Sequence, residues 1–204
     1  GDGSSNAYLD ISSTRVFTVK EDIAVNYSGA GVTPARLRAF NSSVVNITGD
    51  LILNSVNTDL TQDLYLRLRN DATINVSGDL NASLTAGKDL DIDLEDNSIL
   101  NIGGDLTLDQ YGGDLLILKT DDLSSVDVSG NLIVSQSGGS DLFIYVNYNA
   151  GMGASFIVDG TSNFSKTGGD DIVMRTNGTN SALTLTGNTF IDCPSAADTE
   201  SINF

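Results

Sequence analysis

The stretch Ser43 to Leu53, SVVNITGDLIL, returns as ATINVSGDLNA at residues 72–82 and as SILNIGGDLTL at residues 98–108. In each copy two apolar residues flank a polar one, a small residue, a glycine and an aspartate follow, and a second alternating run begins. Alternation with period two places successive side chains on opposite faces of a strand. A unit of this size cannot bury its own apolar side, so it must stack on its neighbours.

Once its form is known, the pattern extends in both directions. Phe17 and Val19 open a copy before Asp22; Val126 and Val128 open one before Gly130 and Asn131; looser copies start at Phe156 and Leu183. A second alternating signal lies about half a repeat away, in Leu64-Leu66-Leu68, Leu90-Ile92-Leu94, Leu115-Ile117, Leu142-Ile144-Val146 and Ile172-Met174. Each repeat therefore holds about three short strands. No stretch sustains a 3.6-residue apolar stripe, and β-branched residues, Asn, Ser and Gly crowd the repeats, so helices are not expected. The fold class that follows is all-β: a right-handed parallel β-helix or β-solenoid of stacked β-arches, with about seven coils of roughly 25–30 residues. It occupies residues 17–192, between an N-terminal edge segment (1–16) and a C-terminal tail (193–204).

Glycine suits a corner where a Cβ would be strained or would collide with the next coil, only about 4.8 Å away. Gly49, Gly78, Gly104, Gly130, Gly160 and Gly187 fall at one corner, and the pairs Gly112-Gly113, Gly138-Gly139 and Gly168-Gly169 mark another. Prolines number only 2, Pro34 and Pro194, as expected if interior coils use every N–H in ladders. Longer connections are read at Gly29 to Arg36 and at Asn147 to Ser155.

Charge and composition narrow the function classes. With 10 basic and 27 acidic residues the net charge is -17, which repels nucleic acid and anionic membrane surfaces. No apolar run is long enough to insert into a membrane as a helix. Histidine is absent, which removes the usual general base and the commonest metal ligand, and no nucleophile elbow, P-loop or Cys/His cluster is present. An enzyme is not expected. The single cysteine, Cys193, is a buried thiol, a reactive group or half of an intermolecular disulfide. The chain begins at Gly1 rather than methionine, so the lack of a leader does not argue for the cytoplasm.

Stacking places equivalent residues in columns. Asp50, Asp79 and Asp105 share one corner; Asp63, Asp89 and Asp114, with Asp141 and Asp171, are assigned to another. Carboxylates stacked about 5 Å apart must face water, pair with a base, accept backbone N–H groups or take up a cation, for which calcium is the candidate. The third strand offers Tyr65, Leu116, Phe143 and Val173, with Asp91, as an outward column and hence a candidate assembly face. N-glycosylation sequons start at Asn26, Asn41, Asn46, Asn75, Asn81, Asn163 and Asn177.

From about Phe17 to Ile191 the NITGDLIL, NVSGDLNA and NIGGDLTL pattern resembles the β-solenoid repeats of large secreted adhesins and haemagglutinin-type surface proteins. Small size, acidity and one cysteine are also similar to the sheath subunits of filamentous methanogenic archaea. That second resemblance implies β-arch subunits associating into amyloid-like hoops. Two readings of function follow. The first is an extracellular structural protein that self-assembles through open solenoid ends or lateral faces into a sheath, filament or surface layer. The second is an adhesin or carbohydrate-binding module whose partners are glycans or other cell-envelope proteins.

Overall fold

A computed structural model describes residues 7–29, 35–57, 63–149, 151–169 and 171–194. Among these, 21 strands follow one another as triplets. The first coil comprises β1 (Tyr8–Ser12), β2 (Val16–Val19) and β3 (Ile23–Gly29), and the second β4 (Ala35–Phe40), β5 (Val44–Ile47) and β6 (Leu51–Asn57). The third holds β7 (Leu64–Arg69), β8 (Thr73–Val76) and β9 (Leu80–Thr85), and the fourth β10 (Leu90–Leu94), β11 (Ile99–Ile102) and β12 (Leu106–Tyr111). Next come β13 (Leu115–Thr120), β14 (Ser125–Val128) and β15 (Leu132–Ser137), then β16 (Asp141–Val146), β17 (Ser155–Val158) and β18 (Ser162–Thr167). The last coil is β19 (Ile172–Thr176), β20 (Ala182–Leu185) and β21 (Thr189–Asp192).

Every third strand pairs in parallel with its equivalent one coil on, which builds three sheets of seven strands around one axis. Sheet A runs from β1 to β19, sheet B from β2 to β20 and sheet C from β3 to β21. The molecule is a right-handed β-solenoid, as the repeat predicts.

The core is a set of inner columns. In sheet A, Leu9, Leu37, Leu66, Ile92, Leu118, Ile144 and Met174 lie opposite one another in succession. In sheet B the column is Phe17, Val45, Ile74, Leu100, Val126, Phe156 and Leu183. Burying each such side chain contributes about 1.5–3 kcal/mol. Interior coils achieve this fully: Leu66, Ile74 and Leu100 are wholly buried, whereas Phe17 of the first coil is 43% exposed. Ladders and core both depend on having a coil on each side.

The corners obey different rules. Between sheets A and B the chain turns on successive left-handed residues, such as Asn70 (φ 56°) with Asp71 (φ 61°) and Asp96 (φ 56°) with Asn97 (φ 60°). Asn and Asp tolerate this region through local hydrogen bonding, which is why they crowd the corner. Between sheets C and A, Gly112-Gly113, Gly138-Gly139 and Gly168-Gly169 all have φ between 74° and 99°. The glycines of the GD corner, between sheets B and C, show no left-handed φ. Close approach to the neighbouring coil selects them.

Two expectations are overturned. Leu116 faces inward and is completely buried; Ile117 lies opposite Phe143 on the outer surface. The outward column of sheet A is Tyr8, Arg36, Tyr65, Asp91, Ile117, Phe143 and Val173. Asp114 leaves its assigned column for the same reason: Leu115, not Asp114, stands opposite Asp141. Directly after the glycine pair, coil six has Ser140 and Asp141 where coil five has Asp114 and Leu115. Aligning aspartates therefore slipped the register by one residue and reversed the faces.

Candidate functional site

At the GD corner the aspartates form a hydrogen-bonded ladder between coils. Asp50 N–H donates to Asp22 Oδ1 (2.9 Å), Asp79 N–H to Asp50 Oδ1 (2.8 Å) and Asp105 N–H to Asp79 Oδ1 (2.8 Å). Asn131 continues it, donating to Asp105 Oδ1 (2.7 Å) and accepting from Thr161 N–H (2.9 Å). Each carboxylate thus holds the backbone of the following coil. The glycine before each aspartate makes room for that oxygen: a Cβ on Gly78 would overlap Asp50 Oδ1 and stand 2.9 Å from the Gly49 carbonyl. Asp79→Ala is expected to cost about 1–2 kcal/mol by orphaning the Asp105 N–H, read as a lower urea midpoint.

The other corner repeats this pattern in part and adds a cation. Leu115 N–H donates to Asp89 Oδ1 (3.1 Å), Lys88 Nζ to Asp89 Oδ2 (2.7 Å) and Asp171 N–H to Asp141 Oδ1 (3.0 Å). Burial, with Asp89 alongside, raises the Asp63 carboxyl above the usual range. Among the described residues no group of three or more His, Cys, Asp or Glu side chains is placed to hold a metal ion.

Sheet A carries the chemically richest surface. Arg36, Arg38, Arg67, Arg69, Lys119 and Arg175, six of the chain's 10 basic residues, occupy its strands. Asp10 accepts from both Arg36 and Arg38, and these hydrogen bonds, led by Arg38, hold its carboxyl below the usual range. Farther along, Asp93 has no exposed side-chain surface, with Arg67 Nε at 3.0 Å on one side and Lys119 Nζ at 3.3 Å on the other. Arg69 Nε reaches Glu95 at 3.0 Å, and Arg67 Nη2 reaches Asp91 at 3.4 Å. Burial pushes Asp91 up to about 6, and the neighbouring charge of Asp93 adds to the effect. Glu95 is raised for the same two reasons.

The connection from Asn147 to Ser155 is pinned from beneath. Asn147 is fully buried and its Nδ2 donates to Gly151 O (3.1 Å), Asn177 O (3.0 Å) and Ser181 Oγ (3.0 Å). Asp121 accepts from the backbone and side chain of Asn149 at 2.8 and 2.9 Å. Above this base stand Tyr148, 51% exposed, and the stacked Phe143 and Tyr145 rings, 5.0 Å apart.

Inside the corner between sheets C and A, buried Gln110 and Gln136 bond to each other (2.9 Å) and to the carbonyls of Leu115 (2.9 Å) and Asp141 (3.0 Å). This amide pair went unread in the sequence. Its signal is a polar residue at an apolar position of the alternation, 26 residues apart in two successive coils.

The remaining expected sites are dispersed. Asn26, Asn81 and Asn163 lie at outward positions of sheet C, and Asn41 at a left-handed corner. Asn46 and Asn75 belong to an amide ladder on sheet B: Asn75 Nδ2 donates to Asn46 Oδ1 and Asn101 Nδ2 to Asn75 Oδ1, both at 2.8 Å. Asn177 is half-buried beside Tyr148. Cys193 is half-buried against the core at the C-terminal end. Pro34 and residues 195–204 lie outside the described residues. Comparison with protein-family models, curated proteins and solved structures finds no match.

Proposed function

We propose that this chain is a structural scaffold of an extracellular surface or cell envelope, assembling with copies of itself through an open coil end or the outer face of sheet A. The observation that carries the reading is the C-terminal end. Among the described residues no strand pairs with the outer edges of β19, β20 and β21, and Met174, Leu183 and Leu185 line an opening of about 320 Å³ there. Because each coil completes the ladder and core of the one before, this end presents strand edges and apolar side chains that a further coil would cover. Charge adds support for the lateral face. A molecule at -17 repels its copies least where its basic residues gather, and they gather on sheet A. The resemblance to sheath subunits accords with this reading.

The test is electron microscopy and sedimentation of the purified chain over a range of salt, with gel mobility compared with and without reductant to probe Cys193. Filaments, hoops or sheets are expected, and discrete monomers under every condition would refute the reading. A glycan-binding adhesin is favoured by one observation: Phe143, Tyr145 and Tyr148 cluster beside the pinned connection, with successive ring centroids 5.0 and 5.1 Å apart. Binding of one sugar class on a glycan array, without self-assembly, would select it.

A further inference from the structure

The GD corner gives the stack a direction. In each of the six coils that follows another, the residue before the corner Asp, Asn or Thr is glycine: Gly49, Gly78, Gly104, Gly130, Gly160 and Gly187. A Cβ at any of them would point back along the axis into the preceding coil. It would overlap the side chain of Asp22, Asp50, Asp79 or Asp105 in the first four cases, stand 2.7 Å from Asn131 Oδ1 at Gly160, and overlap the Gly160 carbonyl at Gly187. In the first coil the equivalent residue is Glu21, since Ile23 lies opposite Leu51 and places Glu21 opposite Gly49. Glu21 is exposed, and among the described residues no coil lies before it.

We propose that Glu21 is a steric stop that prevents the C-terminal end of one copy from stacking in register on the N-terminal end of the next. Three described pairs along sheets A and B of that junction are complementary. Continuing the columns past the last coil would set Leu183 against Phe17 of the next copy, Leu185 against its Val19, and Arg175 against its Asp10. The first two contacts would cover apolar side chains that the terminal coils leave partly exposed, and the third pairs opposite charges. The corner conflicts: the Glu21 Cβ would be driven into the Gly187 carbonyl and the Asn188 side chain, as a Cβ on any of the six glycines would be driven into its own preceding coil. Exposed sheet ends are commonly protected against edge-to-edge growth, and a side chain at this corner position acts against it by overlap.

The inference rests on the assembly reading and narrows it: with in-register end-to-end stacking blocked, copies meet through the outer face of sheet A. The test compares the full chain with its E21G and E21A variants by light scattering and electron microscopy, using circular dichroism to confirm that the fold is unchanged. E21G is expected to form axial rods that the native chain does not, with lengths that grow in steps of about 34 Å, seven coils at ~4.8 Å each. E21A keeps the Cβ without the charge and is expected to behave as the native chain. Axial rods from the native chain, no axial growth by E21G, or equal growth by E21A would each overturn the proposal. Failure of the assembly reading looks different: a native chain that stays monomeric at every salt concentration while E21G forms rods leaves the steric stop standing alone.

Discussion

Gly104→Ala is expected to destabilise the solenoid by about 3 kcal/mol, the upper part of the range for overpacking a closely packed site. The added Cβ would overlap the Asp79 carboxylate and stand 2.9 Å from both the Gly78 carbonyl carbon and its oxygen. These backbone atoms cannot swing aside, because Gly104 N–H already donates to Gly78 O at 2.8 Å. The coil must shift along the axis, and such a shift disturbs the ladders of all three sheets at once. Urea unfolding measures the loss. A midpoint within experimental error of the native chain would show that the coils are not held at this spacing. The double variant Gly104→Ala/Asp79→Ala removes the carboxylate from the overlap and leaves the carbonyl, so partial recovery is expected, with a coupling of about 0.5–3 kcal/mol between the two positions.

The second large effect is a pH dependence centred on sheet A. Asp91 is raised to about 6 by burial and by the charge of Asp93, so the folded protein holds this proton more tightly than the unfolded chain, whose aspartates titrate near ~3.9. The sign follows from linkage. Between about pH 4 and 6 the native state binds more protons, so stability falls as pH rises through that window, by up to about 3 kcal/mol from this one group. Asp63, Glu95 and Asp121 are all raised by burial and act in the same direction, whereas Asp10, lowered by its arginine partners, acts in the opposite one. Thermal unfolding should therefore give a higher Tm near pH 4.5 than near pH 8. Asp91→Asn should raise stability at pH 8 by about 1–3 kcal/mol and flatten the slope between pH 4 and 6. An unchanged slope in that variant would show that Asp91 is not the group responsible.

How much of this was legible before the structure depends on distance from the GD corner. The inner and outer columns of sheets B and C follow from the alternation, because both strands start within a few residues of the same glycine. Sheet A begins only after a connection whose length varies between coils, and there the aspartates mislead: matching Asp114 to Asp141 turns Leu116 outward, whereas Leu115 stands opposite Asp141. The glycine pairs were the better anchor, since Gly112-Gly113 and Gly138-Gly139 share left-handed backbone that position alone imposes. Among the candidate site residues, the acidic ladder was visible as a repeat. Its bonding was not, because each acceptor meets a donor in a different coil.

The sequence by itself determined that this chain is a stack of short strands, turning at a glycine-aspartate corner about once every 26 to 30 residues. Period-two alternation and a repeating glycine are local properties, readable one residue at a time. What only the tertiary structure decided is what touches across the coils: that Asp50 holds the backbone of Asp79, that Asp93 is buried between Arg67 and Lys119, and that Glu21 stands opposite Gly49. Those contacts join residues more than twenty positions apart, and a one-residue difference in connection length decides which of them exist.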